Sequence, residues 1–129
     1  MTYCVGLLLD RGMVLLSDTR TNAGFDNIAI YRKMFIFEDP GERVIAILTA
    51  GSLSVTQTTI ARLKEVMASP DADEESSIMK APTMLKVAGI IGNMLARVRA
   101  DIDEKLSSQK QSASASLIVA GQRRGGEMR

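Results

Sequence analysis

The sequence predicts an α+β fold in layers: a block of strands, then two amphipathic helices, then a further strand. Three observations carry this reading. The stretch before Gly51 consists of apolar runs broken at Asp10-Arg11-Gly12 and Glu38-Asp39-Pro40-Gly41-Glu42, both turn-type segments. Two later stretches place apolar residues at helical spacing. From Ser112 to Gly121 the pattern returns to that of a strand, small residues first.

The elements follow in order. Met1 to Leu9 reads as a strand, Asp10-Arg11-Gly12 as a three-residue turn, and Met13 to Asp18 as its hairpin partner. With Leu9 opposite Met13, Cys4 faces Asp18 and Thr2 faces Arg20, so Thr2, Cys4, Asp18 and Arg20 share one face. Thr2 and Asp18 then lie on a diagonal of roughly 7–8 Å, wide enough for a long cation between them. Thr21-Asn22-Ala23-Gly24 is a polar loop. Ile28 to Phe37 is one strand, apolar apart from the basic pair Arg32-Lys33, with Lys33 in phase with Phe35 and Phe37. Arg43 to Ala50 is a near-continuous apolar strand of the doubly buried type.

That strand runs into Gly51-Ser52-Leu53-Ser54, where a helix begins. Ser54 and Gln57 form a capping-box pattern. Val55, Thr59, Ile60, Leu63, Val66 and Met67 make the buried stripe. A glycine at such a junction can present its N–H near the positive end of the helix dipole, a common way to build an oxyanion donor. Ser69 to Ser77 reads as a solvated acidic loop. The second helix opens near Pro82 and runs to about Leu106, with Ala88 on its buried face and Gly89 and Gly92 as sites of close helix packing. Its surface pairs are Arg97 with Asp101, Arg99 with Asp103, and Asp101 with Lys105. Arg124-Gly125-Gly126 is a hairpin turn, and Glu127-Met128-Arg129 begins a return strand. Because a strand stopped there leaves a half-made ladder, residues 1–129 are expected to be the N-terminal part of a single domain in a longer protein.

Composition narrows the chemistry. Hydrophobic residues make up 46% of the 129, enough for a core. The charges nearly cancel, with 16 Lys and Arg against 15 Asp and Glu, and aromatics are only 4%; neither suits a nucleic-acid surface. The single cysteine, Cys4, excludes an internal disulfide framework and fits a reducing, cytoplasmic setting. The N-terminal apolar run has no basic residue before it and meets Asp10 and Arg11, so it does not read as a signal peptide. No run has the length of a membrane span. Histidine is absent, which removes Ser-His-Asp and Cys-His designs and most zinc sites. No metal and no cofactor is expected.

A hydrolase without imidazole needs another base, and Thr2 suggests one. If Met1 is trimmed, Thr2 carries a free α-amine beside its own hydroxyl, so nucleophile and base sit on one residue. Such an amine titrates near ~7.7–8.0, whereas a lysine amine titrates near ~10.4.

Taken together and in order, the motifs closely resemble the proteasome β-subunit superfamily of N-terminal-nucleophile hydrolases, most of all the bacterial ancestral β-subunit group. The resemblance covers the whole chain. Thr2 matches the family's N-terminal nucleophile. Ser17-Asp18-Thr19-Arg20 with Ala23-Gly24 matches the block of the catalytic Asp, Arg32-Lys33 that of the catalytic Lys, and Thr49-Ala50-Gly51-Ser52 the oxyanion turn. The resemblance implies a four-layer αββα sandwich and assembly into homo-oligomeric rings or ring-like spirals. It implies a peptide or unfolded-protein substrate running between Thr21–Asn22 and Ala50–Gly51, with Tyr31, Thr49 and Leu53 shaping the pocket. It also implies a Ser and an Asp that lie beyond Arg129, and it leaves an ATPase partner undetermined. Three functions remain open: a threonine peptidase, an amidohydrolase acting on a small-molecule amide, and a catalytically silent ring or scaffold subunit.

Overall fold

The computed structural model describes residues 1–22, 28–106 and 114–129. These form two compact units, one of residues 1–50 with 116–129 and the other of residues 51–115. The chain mixes antiparallel strands with two helices, so the α+β class read from the pattern is the class observed.

The first unit begins with a hairpin, β1 (Cys4–Leu9) against β2 (Gly12–Ser17). Its register differs from the expected one by a single residue. Leu9 pairs with Gly12, so the turn is only Asp10-Arg11, and Cys4 faces Ser17. A one-residue slip exchanges the faces of a strand. Cys4 therefore does not face Asp18 across the hairpin, and the pairing that would put Thr2, Cys4, Asp18 and Arg20 on one face is not the one observed. Beyond the paired strands the Asp18 N–H still donates to the Tyr3 carbonyl at 3.0 Å.

Two short strands follow, β3 (Arg20–Asn22) and β4 (Ile28–Ile30), paired antiparallel with Thr21 opposite Ala29 and Asn22 opposite Ile28. Thr21 and Asn22 thus lie in a strand and not in the polar loop expected there. Ala23 and Gly24, also assigned to that loop, lie outside the described residues. A three-stranded sheet has the order β5 (Met34–Asp39), β6 (Arg43–Gly51), β7 (Ala115–Arg123). β5 and β6 join through a tight turn in which the Glu42 N–H donates to Asp39 C=O at 2.9 Å and Gly41 takes φ 80°. Five consecutive residues of β6, Ile45 to Thr49, are buried, as the unbroken apolar run implies.

The run from Ile28 to Phe37 is not one strand. It breaks at Tyr31-Arg32-Lys33 because the chain changes partner there. Up to Ile30 it pairs with β3, and from Met34 it pairs with β6. Lys33 sits at the join, its carbonyl accepting the Thr49 N–H at 2.8 Å as one more rung beside the Met34–Leu48 pair. After β7, Gly125 (φ 72°) turns the chain, and Gly121 and Arg129 exchange two backbone hydrogen bonds, the start of the expected return strand.

In the second unit, α1 (Leu53–Ala68) and α2 (Met84–Leu106) pack on one another around buried Val55 and Val98, with Met94, Leu95, Ile102 and Ala115 against them. The N-cap of α1 is Ser52, and Ser54 lies inside the first turn, so the expected capping box does not form. α2 begins two residues after Pro82. Its cap is Thr83, whose hydroxyl accepts the Lys86 N–H at 3.1 Å. Residues 69–83 are more built than a solvated loop: Ser77, Ile78 and Ala81 are buried, and Asp73 accepts from the Glu75 and Ser76 N–H groups. Arg99 pairs with Asp103 as expected, while Asp101 reaches Arg62 of α1 at 2.9 Å.

Gly89 and Gly92 do not mark close packing. A Cβ built at either would meet no atom within 4 Å, and Ala88 beside them is exposed. Helical glycine without a packing reason costs backbone entropy. Gly89→Ala and Gly92→Ala are each expected to raise stability by roughly 0.5–1 kcal/mol in chemical denaturation; a loss of stability would show that something covers that face.

Candidate active site

The centre of the first unit's polar chemistry is Lys33, 3% exposed. A buried ammonium is costly unless its protons find acceptors. Here it has four. Nζ lies 2.8 and 3.0 Å from the two Asp18 carboxylate oxygens, 2.6 Å from the Arg20 carbonyl and 3.4 Å from the Met1 carbonyl. An ammonium has three protons, so the longest contact, to Met1, is the natural one to be shared. That carbonyl belongs to the Met1–Thr2 peptide bond. Lys33 therefore joins Asp18 to the backbone immediately before Thr2, which is itself half-buried.

Local backbone structure explains the convergence. The break at Tyr31-Arg32-Lys33 turns Lys33 out of the β3–β4 pairing, and the Tyr31 N–H donates to Thr19 C=O at 2.7 Å. Asp18 is gripped twice by Tyr3, whose carbonyl accepts the Asp18 N–H and whose N–H donates to Asp18 Oδ1 at 2.8 Å. The hydrogen bond from Lys33, then that from the Tyr3 N–H, hold the Asp18 carboxyl down at about 2, against a weaker opposing effect of desolvation.

The remaining predicted residues are placed as follows. Cys4 donates its thiol to the Thr49 carbonyl at 3.7 Å. Burial, then the Asp18 charge, push that thiol up from its ordinary value while Lys33 pulls the other way, so it stays protonated at neutral pH. The Thr21 hydroxyl donates to Ala29 C=O at 3.3 Å, and Asn22 ends β3. Tyr31 is partly buried. Thr49 is buried, with its hydroxyl on the Lys33 carbonyl at 3.3 Å. In the second unit, Leu53 is exposed as the first residue of α1. Gly51 closes β6 with φ 95°, and a Cβ there would lie 2.5 Å from the Ser114 carbonyl oxygen. Both facts demand glycine.

The structure thus brings together Asp18, Lys33 and the Met1–Thr2 bond. Sequence reasoning missed the Met1 and Arg20 carbonyls and the Tyr3 amide, since backbone groups leave no mark in a side-chain pattern. Among the described residues no group of three metal-ligating side chains occurs, and no helix is long and apolar enough to cross a membrane.

The depressed Asp18 value gives a signed pH dependence. Its stabilising effect is fully present above the unfolded value of 3.8 and is lost as pH falls through about 2. Asp18→Asn is expected to be less stable than the native protein above that window, with the gap closing as acid is added. A gap in denaturation midpoint that stayed constant down to pH 2 would contradict the pairing.

No family model and no curated protein matches the sequence. Solved structures do. An Anbu mutant from Hyphomicrobium sp. strain MC1 is 36% identical with a TM-score of 0.86, covering 100% of this chain and 51% of that one. The helical assembly of the Anbu complex from Pseudomonas aeruginosa gives 33% and 0.87, covering 99% and 51%. Anbu (ancestral beta-subunit) from Yersinia bercovieri gives 29% and 0.82, covering 100% and 51%. The chain spans about half the length of the Anbu chains it matches. Fold and sequence together place it with the Anbu group of proteasome-type ancestral β-subunits, over the half of their length that it covers.

Proposed function

We propose that this chain carries the nucleophile half of a proteasome-type threonine endopeptidase, acting once Met1 is removed. The observation that supports this most is the buried Lys33 ammonium, held by both Asp18 oxygens and in contact with the carbonyl next to Thr2. A cation that costly to bury, placed beside the one residue whose amine and hydroxyl can act together, fits nucleophile activation better than structural filling.

In this reading the positive charge of Lys33 favours the Thr2 alkoxide, and the Thr2 α-amine takes the hydroxyl proton. Oγ attacks a peptide carbonyl. The Gly51 N–H stabilises the oxyanion, a contribution of roughly 2.7–4 kcal/mol where single donors of this kind are removed. The C–N bond breaks, the leaving amine takes the proton from the α-ammonium, and water hydrolyses the Thr2 ester. The substrate lies extended beside Thr21 and Asn22, with Tyr31 in the pocket wall. Assembly into a homo-oligomeric ring or spiral is part of the proposal; the likeness to an Anbu complex that forms a helical assembly supports it.

One observation favours a second reading. With Met1 attached, Thr2 nitrogen is an amide and no base, and the Met1 carbonyl occupies the Lys33 shell. A protein that keeps Met1 is a silent assembly subunit. Intact mass of the full-length protein, before and after treatment with a peptide epoxyketone, separates the two. The peptidase reading expects loss of the Met1 mass and a Thr2-dependent adduct, with turnover abolished in Lys33→Ala while the assembly stays intact. Retained Met1 with no adduct would establish the scaffold.

A further inference from the structure

Thr49 donates twice to one atom. Its N–H reaches the Lys33 carbonyl at 2.8 Å and its hydroxyl reaches the same oxygen at 3.3 Å. A carbonyl has two lone pairs, so both bonds can be made together. The residue is 2% exposed, which leaves its side chain almost no surface to offer a ligand. Its own carbonyl accepts from the Cys4 thiol at 3.7 Å, which ties the segment to β1.

The place where this grip falls gives it meaning. Lys33 stands in the break between β4 and β5, the point where the chain leaves one partner strand for another. A break of this kind is where a backbone has most freedom, yet four rotatable bonds further on Nζ must meet both Asp18 oxygens and the Arg20 carbonyl. The ladder bond fixes the Lys33 carbonyl at one point. The second donor resists rotation of the Lys33 peptide about that bond.

We infer that Thr49 is a positioning residue for Lys33, holding the backbone end of the lysine while Asp18 holds the ammonium, and that its hydroxyl does not contact substrate. The inference rests on the reading of Lys33 as the cation beside Thr2. It replaces the pocket-wall role given to Thr49 above with a role in placing charge.

Thr49→Val keeps the β-branched shape and removes only the hydroxyl donor; Thr49→Ser keeps the donor and removes a methyl; Thr49→Ala is a second donor-less variant should valine fail to accumulate. In the full-length assembled protein, the donor-less variants are expected to lose about 3- to 10-fold in kcat, the equivalent of one hydrogen bond, with KM unchanged and serine restoring the rate. Native kcat with an altered KM or cleavage preference would make Thr49 a pocket wall and overturn the inference. A readout independent of peptidase activity is the ¹⁵N spectrum of the lysine ammonium groups. The Lys33 signal, sheltered from exchange in the native protein, is expected to broaden in Thr49→Val and to return in Thr49→Ser. If the protein cleaves no peptide at all, the proposed function fails, and the ammonium signal still decides: an unchanged Lys33 resonance in Thr49→Val overturns the positioning role.

Discussion

One buried charge sets the terms for the first fifty residues. An ammonium removed from water is tolerated only when acceptors replace its hydration, and Lys33 finds them in Asp18, Arg20 and Met1. Each partner is then constrained in turn. Asp18 must follow β2 directly, where Tyr3 can bind its backbone and its side chain together. The chain must also break at Tyr31-Arg32-Lys33, so that the lysine leaves the pairing at the right place. Because breaking a buried pair leaves an uncompensated charge, the arrangement tolerates little variation on either side.

The sheet supplies the rigidity this needs. β6 is buried through Ile45–Thr49, and its Thr49 end anchors the Lys33 backbone while its last residue, Gly51, takes a conformation closed to side chains. One strand thus serves two parts of the proposed chemistry, the cation through Thr49 and the oxyanion donor through Gly51.

Much of this could be read from the sequence, and the failures have physical causes. The α+β class, the doubly buried β6 and the two helices followed from apolar spacing, which is set by burial. The spacing of Thr2 and Asp18 leaves room for a long cation, and Lys33 does pair with Asp18, although the hairpin register behind that spacing is off by one residue. A two-residue and a three-residue turn at Asp10-Arg11-Gly12 are equally compatible with the composition, and nothing local decides between them. The break at Lys33 is hard to read because the run is apolar on both sides of the basic pair Arg32-Lys33, and only tertiary pairing with two different strands divides it. Gly89 and Gly92 look in sequence like contact points because the pattern does not show whether a neighbour is present. The carbonyls of Met1 and Arg20 carry no sequence signal of any kind.

What unites these features is the claim that Lys33 acts on the electrostatics of the Thr2 terminus. Titration of the Thr2 α-amine in the Met1-free protein, followed by ¹⁵N NMR in native and Lys33→Met forms, tests it most directly. A neighbouring cation disfavours a second positive charge. The amine is expected to titrate at lower pH in the native protein than in Lys33→Met. Identical titration in the two forms would contradict the role of Lys33 beside Thr2.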